Sequence, residues 1–471
     1  MEVLIIGAGP AGLSAARAAR AAGARVRILD AADQTGGQFW RHLPGSRPAR
    51  AERVLHHAWD DYVALRHELV EDRGVRIDLG AHVWAVEARD DGLRLQVAHG
   101  VPDGTDRPVE QLTPDRVVLA TGAQERVLPV PGWTLPGVFT AGAAQALAKS
   151  ERVAVGERVV VAGAGPFLLP VSTTLARSGA RVVAVVEAAG NRRLAREWLR
   201  RPHELVGVGA KARELAGYVG HHLREWVPYR TGRAVVAVHG TAAVEAVTVM
   251  RVDDAWRPVP GTEERIACDA VCLGHGFVPR LELAIAAGCH LTEERYVDVD
   301  DSQRTSVARV YAAGELTGVG GADLARAEGT IAGWMAAGGS PDAPAIASAR
   351  RRRRTLRGFA GRLTAAHRIG AGWSAWLEPS TIVCRCEDVT VGALRTVADT
   401  TGATGLRSLK LTSRAGLGAC QARTCGRTVE DLLGHQLVID GPGTDRRPIA
   451  LPVRLGELAS PRTHPREETN P

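Results

Sequence analysis

The chain is short of cysteine, with seven among 471 residues. A number so small and odd excludes a disulfide-stapled secreted domain. It points to a reducing compartment, with cysteines in cores or at cofactors. Also missing is a basic segment ahead of the first apolar run: "MEVLIIGAGPAGLSAAR" is studded with glycine and reads as a strand entering a loop, not as a signal peptide. No uninterrupted apolar run is long enough to span a bilayer. "VVVAGAGPFLLPVSTTLA" (159–176) comes near, but its two glycines and two prolines break it into strand, loop and helix. A one-signed basic face is absent too. The net charge of +7 comes from arginines scattered among alanine and glycine, the pattern of a solvated surface and not of a nucleic-acid footprint.

What is present is glycine at defined spacing. "VLIIG", then "GAGPAG", then the alanine-rich "GLSAARAARAAGA" and "RVRILD" form a strand, a loop, a helix and a second strand. Gly7 permits the tight turn, and Gly9 lets backbone approach a pyrophosphate at the positive end of the helix. Gly12 lets helix and strand pack closely, and Asp30 ends the second strand, where a carboxylate can accept both ribose hydroxyls. The plan recurs over 157–188, with Gly163, Gly165 and the terminal acid Glu187. There Leu168 replaces the third glycine, and Pro170 follows where a regular N–H series is expected. The second loop therefore reads as vestigial or as holding another adenine nucleotide, with NAD the alternative.

Two cysteines lie one residue apart in "TIVCRCEDVT" (381–390), and two more lie in "GLGACQARTCG". Cys384, Cys386, Cys420 and Cys425 thus follow C-x-C, a long spacer, and C-x4-C. Four thiolates suit a [2Fe-2S] cluster, two per iron. Structural zinc, which favours C-x2-C in both halves, fits less well. Glycines Gly416, Gly418 and Gly426 leave N–H groups free for sulfides, and Arg385 and Arg423 could offset the cluster's charge. Cys268, Cys272 and Cys289 read as core residues: Cys268 and Cys272 are four apart on an apparent strand, roughly 13 Å, too far for a disulfide.

The order of these parts resembles the pyridine nucleotide-disulfide reductase superfamily, in which the first dinucleotide domain holds FAD. "LATG" (119–122), "YAAGE" and "QRTSVARVYAAGELTGVGGADLARAEGTIAGW" carry that resemblance. "CRCEDVT" and "CQARTCG" resemble the bacterioferritin-associated-ferredoxin domain. Together they are similar to the FAD and iron–sulfur subunits of heteromeric amine and amino-acid dehydrogenases, of the hydrogen cyanide synthase, opine oxidase and dye-linked proline dehydrogenase type. Beyond the first loop (Gly7, Gly9, Pro10, Ala11, Gly12, Asp30), the resemblance places the flavin on Gly37, Gln38, Val83, Thr121, Gly122, Gly314, Glu315, Gly321 and Ala322. Glu315 stands where the family more often has Asp. The redox cysteine pair of the disulfide reductases is missing: after Gly36 and Gly37 the chain reads "QFWRHLPG".

The expected fold is α/β: two Rossmann-like dinucleotide domains and a small helical [2Fe-2S] domain. The flavin domain would cover 1–125 and 270–340, with an NAD(P)-like domain over 126–269 inserted in it. A linker over 341–378, Pro-, Gly- and Ser-bearing with the arginine run Arg350 to Arg354, would lead to the iron–sulfur domain at 379–438 and a weakly ordered tail at 439–471. The resemblance implies an electron-carrying subunit. A D-amino-acid-oxidase-type flavoprotein partner would oxidise an amine of the opine, proline or glycine kind, and a small additional electron-transfer subunit could join them. This chain would take the electrons on FAD and the cluster and release them to an external acceptor, since a flavin accepts two electrons and can release them singly. No catalytic residue is assigned to this chain; His275 in "GHGF" is expected to pack near the flavin. A self-sufficient NAD(P)H reductase and a non-enzymatic redox sensor are the alternatives. The location implied is cytoplasmic, or peripheral at the inner membrane through partners.

Overall fold

The first strand, Glu2–Ile6, has all but its first residue buried. Such a run is buried on both faces, as a central parallel strand requires. It pairs in parallel with Arg25–Asp30 and Arg116–Leu119. Val75–Leu79 and Val310–Ala312 complete a five-stranded sheet on its two edges. The structure is a computed structural model describing all residues except 48–51, 90–91, 103, 106, 201–206, 404, 435–448 and 460–471.

The second sheet is also five-stranded and parallel, in the order Tyr229–Thr231, Arg181–Glu187, Arg158–Gly163, Ala270–Gly274, Val138–Thr140. It lies in the chain between the parts of the first sheet, so the flavin-type domain is discontinuous. Ala270–Gly274 was expected to begin the returning half of that domain, but it pairs with Arg158–Gly163 across five residues and belongs to the second sheet. The crossing back is made by Phe277–Pro279, which pairs antiparallel with Ala123–Glu125. Each sheet carries a three-stranded antiparallel partner, at 81–112 and 233–267. Cys268, Cys272 and Cys289 lie in the cores at 4%, 0% and 7% exposure, and burial pushes each thiol pKa up.

The segment expected as a linker is a 24-residue helix, Pro344–His367. Composition hid its periodicity. Ile346, Ala349, Leu356 and Ala360 recur at helical spacing and are buried, while the arginines between them fill the other faces. Pro344 occupies the first turn, where its missing N–H costs nothing. A short 3-10 turn, Ala371–Trp376, follows, and Trp376 stacks on Trp256 at 5.9 Å with an interplanar angle of 10°. The cysteine-bearing segment comes next: the hairpin Ile382–Cys384 and Val389–Thr390, then helices Val391–Thr401, Leu406–Ser413 and Gly426–Leu433 around their own small core. Of the tail expected to be weakly ordered, 449–459 is described and ends in the short helix Leu455–Ala459, while 439–448 and 460–471 lie outside the described residues. Among the described residues, no helix is long and apolar enough to cross a membrane.

Candidate functional site

The first glycine loop has the geometry its spacing implied. Gly7 sits at φ +111°, and a Cβ there would fall 2.3 Å from the Ala120 carbonyl oxygen. A Cβ on Gly12 would fall 1.8 Å from the Gly7 oxygen. Gly9 differs: its φ of −80° suits any residue, and a Cβ would meet nothing nearer than Gly37 Cα at 3.8 Å. The protein itself does not require glycine at this position; a ligand approaching the backbone does. The helix that follows, Pro10–Ala21, has no side-chain cap and no acid in its first turn, so its N-terminal amides are left for an anion. Ala11 and Ala15 of this helix receive Gly329 and Gly333 of helix Ala322–Ala336, where any Cβ would come within 2.0 Å of backbone oxygen. That close packing carries the start of the second helix to the same rim.

Asp30 does end the second strand, and it braces the loop: its Oδ2 accepts the Ala8 amide at 2.5 Å and its Oδ1 the Ala32 amide at 2.8 Å. Burial raises its pKa, and these two amides pull it back. Gly37 packs on Gly9, bringing Gln38 alongside the loop. Val83 is buried in the core beside Ile6 and Leu29, at a strand irregularity between Val83 and Ala85 that interrupts the backbone ladder. The Thr121 hydroxyl donates to the Arg280 carbonyl at 2.9 Å, leaving Gly122, at φ +71°, with open space around it. Gly314, at φ +81°, packs against Ala11. Glu315 accepts the amides of Gly321 (2.8 Å) and Gly320 (3.4 Å), just ahead of helix Ala322–Ala336, and burial pushes its pKa up to about 7. Sequence reading missed a second acid here. Glu328 is 0% exposed, accepts the Gly314 amide (3.0 Å) and the Thr317 hydroxyl (2.8 Å), and pairs with Arg357 at 2.6 Å. Its signal was a lone acid on the buried face of an alanine-rich helix.

In the second loop Glu187 is fully buried and engaged. It accepts the Gly165 amide (2.8 Å), the Ala189 amide (2.9 Å) and the Tyr229 hydroxyl (3.3 Å), and lies 3.4 Å from His367 Nδ1. His367, the last residue of the long helix, stands over Gly165, its Cβ 3.9 Å from where a side chain would begin. Leu168 is in the core, and helix Leu168–Arg177 starts there with Pro170 in its first turn. Gly163 keeps its turn role, its Cβ position blocked by the Gly274 oxygen at 1.7 Å.

All seven cysteines are free thiols. Cys384 neighbours Cys425 and Cys386 neighbours Cys420, each near enough to perturb its partner's titration. The four thiols are mutual neighbours, Cys386 also feeling Cys384 and Cys425 also feeling Cys420. A binuclear cluster takes two thiolates on each iron, which four neighbouring thiols can supply. The backbone is shaped to match. The Gly416 amide points at Cys384 Sγ at 3.5 Å, and a Cβ on Gly418 would fall 2.3 Å from that of Cys386. Arg414, Gln421 and Ala422 hold positive φ along the same loop.

This segment docks on the ribbon that leaves the flavin-type domain. Gln124 donates to the Arg423 carbonyl at 2.6 Å, the Thr428 hydroxyl to the Val127 carbonyl at 2.7 Å, and the Trp133 indole N–H to the Ile382 carbonyl at 2.7 Å. Arg126 pairs with Asp431 and Arg423 with Glu282. Arg423 is thus neutralised by Glu282, whereas Arg385 lies 5.3 Å over the Trp133 ring with no carboxylate partner among the described residues. His275 is held between Trp256 and Trp376, at 6.3 and 6.2 Å.

With this geometry in place, comparison with known proteins is decisive. Residues 1–339 match the model of the pyridine nucleotide-disulphide oxidoreductases, and residues 382–435 match that of the BFD-like [2Fe-2S] binding domain. The chain belongs to the pyridine nucleotide-disulphide oxidoreductase family. It is similar to an opine oxidase component of Rhizobium meliloti, at 35% identity over 97% of this chain and 87% of that one. It is also similar to the HcnB component of hydrogen cyanide synthase from Pseudomonas protegens, at 30% identity over 90% of each. The solved structure of L-proline dehydrogenase from P. horikoshii shares the fold, with TM-score 0.65 and 20% identity over 98% of this chain and 79% of that one. The chain is an FAD-dependent oxidoreductase, and the Rhizobium and Pseudomonas relatives are subunits of opine oxidase and of hydrogen cyanide synthase. The family match indicates FAD, and the second match indicates [2Fe-2S].

Proposed function

We propose that this family member carries electrons from an amine-oxidising flavoprotein partner, of the D-amino-acid-oxidase type, through FAD and a [2Fe-2S] centre to an external acceptor. The observation that carries the reading is the docking of the cysteine segment. Gln124 lies two residues beyond Gly122 of the flavin rim, and it holds the carbonyl of Arg423, two residues before Cys425. When bound, FAD supplies the step from paired to single electrons. The protein's own residues hold the parts in place. Gly9 and the uncapped helix start offer amides to the pyrophosphate, Asp30 and Glu328 brace the two loops that meet it, and Cys384, Cys386, Cys420 and Cys425 hold the irons. A route from NADH is disfavoured because the Tyr229 hydroxyl engages Glu187 and His367 stands over Gly165.

The test is anaerobic titration of the isolated chain with NADH, NADPH, proline, glycine and an opine. Little bleaching of the flavin is expected until an amine-oxidising partner is added. Reduction by NADH alone at about 10 per second, an ordinary enzyme rate, would replace this reading with a self-sufficient reductase.

A further inference from the structure

A small cavity of about 40 Å³ lies between the second sheet and the cysteine hairpin. Arg126, Trp133, Phe139, Thr140, His275 and Arg385 are among its walls. Its polar groups are unusually placed. His275 is 6% exposed and its Nδ1 has no hydrogen-bond partner. Arg126 Nε is buried and likewise without one, although its terminal nitrogen pairs with Asp431. A buried polar group left unpaired costs about 1–3 kcal/mol, and the Arg126 Nε–H, with His275 in its Nδ1–H tautomer, suits an occupant that accepts hydrogen bonds. Thr140 is already spent, accepting the Ala143 amide at 3.3 Å.

The charge balance says what kind of occupant. Arg126 is offset by Asp431, and burial together with Arg126 pushes His275 down to a pKa of about 3, leaving the ring neutral. Arg385 lies over the face of Trp133 with no carboxylate partner among the described residues, so it brings a positive charge to the cavity from beside the cluster cysteines. Size agrees. A water needs about 10–15 Å³ of such space, so the cavity takes about three non-hydrogen atoms, the number in a carboxylate group. Guanidinium groups recognise that planar shape with paired N–H donors.

We propose that this cavity is a binding site for a small monocarboxylate, held by the guanidinium groups of Arg126 and Arg385 and by the His275 imidazole. The neighbouring aromatic walls, Trp133 and Phe139, exclude water from the contact. The site adjoins the cysteine hairpin, since Arg385 lies between Cys384 and Cys386, but binding there does not require electron transfer.

Formate and acetate are the probes, with ionic strength held constant by chloride. The full-length holoprotein should show a saturable rise in unfolding midpoint and a saturable change in tryptophan fluorescence with formate, at millimolar affinity. Arg385→Gln, at an exposed position, should fold normally and weaken formate about tenfold, the loss expected for one charge-assisted contact. His275→Phe should weaken it as well, with circular dichroism checking the fold, and methylammonium should have no effect. An absent response to both acids would overturn the proposal. So would an unchanged response in Arg385→Gln, or a chloride response equal to that of formate.

Discussion

Glycines 9 and 12 lie in the same loop, yet the structure demands opposite outcomes from replacing them. At Gly12 a Cβ would fall 1.8 Å from the Gly7 oxygen and 2.9 Å from its carbon, both backbone atoms that cannot step aside. Gly12→Ala should therefore fail to fold, or lose more than about 4 kcal/mol, the range reserved for severe core defects. At Gly9 the backbone is extended and the nearest heavy atom is 3.8 Å away. Gly9→Ala should leave the apoprotein as stable as the parent, or stabilise it by up to about 1 kcal/mol through the unfolded chain. Its effect falls on the ligand. A methyl there, or the larger side chain of Gly9→Val, holds a pyrophosphate off the amides at the start of helix Pro10–Ala21. Losing two charge-assisted hydrogen bonds at about 1.5–3 kcal/mol each weakens FAD by roughly a hundred- to ten-thousandfold. The assay pairs flavin absorbance per chain with thermal unfolding of the flavin-free proteins. A Gly9→Val protein that stays fully yellow refutes the placement of the dinucleotide. A Gly9→Ala apoprotein as unstable as Gly12→Ala refutes the distinction drawn between the two glycines.

Cys386→Ser should abolish the brown colour and the acid-labile sulfide while flavin content stays at the parental level, because the docking contacts of Gln124, Trp133 and Thr428 do not use that thiol; one zinc and no sulfide in the parent protein would sink the cluster assignment. Glu328→Gln leaves Arg357 without its buried partner and should cost about 2 kcal/mol by denaturant unfolding, below the full penalty for a buried pair because Arg357 is partly exposed. The double variant Glu328→Gln with Arg357→Met should cost less than the sum of the two single effects, and additivity would argue against the pair. Glu315 has a folded pKa of about 7, raised above its unfolded value by burial, so the native state holds the extra proton and stability falls as pH rises from about 4.5 through 7. Glu315→Gln should flatten that slope, removing a difference of about 3 kcal/mol between its two ends, and an unchanged slope in unfolding measurements at pH 5 and pH 8 would show that Glu315 does not titrate there.

The parts legible in the sequence are those where chemistry restricts residue type. Gly7 and Gly12 are glycine because backbone oxygen occupies their Cβ positions, and that constraint shows as a spacing. The four cysteines show for the same reason. What sequence hides is contact between distant residues of ordinary type. Gln124 holding Arg423, or Trp133 holding Ile382, joins positions 299 and 249 residues apart and leaves no local pattern. The strand Ala270–Gly274 was assigned to the wrong sheet because buried parallel strands look alike; only its register with Arg158–Gly163 separates them. The helix Pro344–His367 was concealed by composition: the run Arg350 to Arg354 reads as solvated, yet Arg353 and Arg357 turn inward to Glu328.

That helix also accounts for a feature that neither glycine loop explains alone. At 1.5 Å per residue its 24 residues reach about 36 Å, enough to run past both sheets. Near its middle, Arg357 donates to the Thr317 carbonyl at 2.6 Å and to Glu328, fixing the loop from Gly314 to Gly321. At its end, His367 meets Gly165 and Glu187 in the second loop. The turn after it seats Trp373 and Trp376 in the core of the second sheet, from which the chain enters the cysteine hairpin. One rigid element therefore sets the spacing of the two loops and the starting point of the cysteine segment. At the second loop the helix end meets the strand's terminal acid: Glu187 lies 3.4 Å from His367 Nδ1 and accepts the Tyr229 hydroxyl.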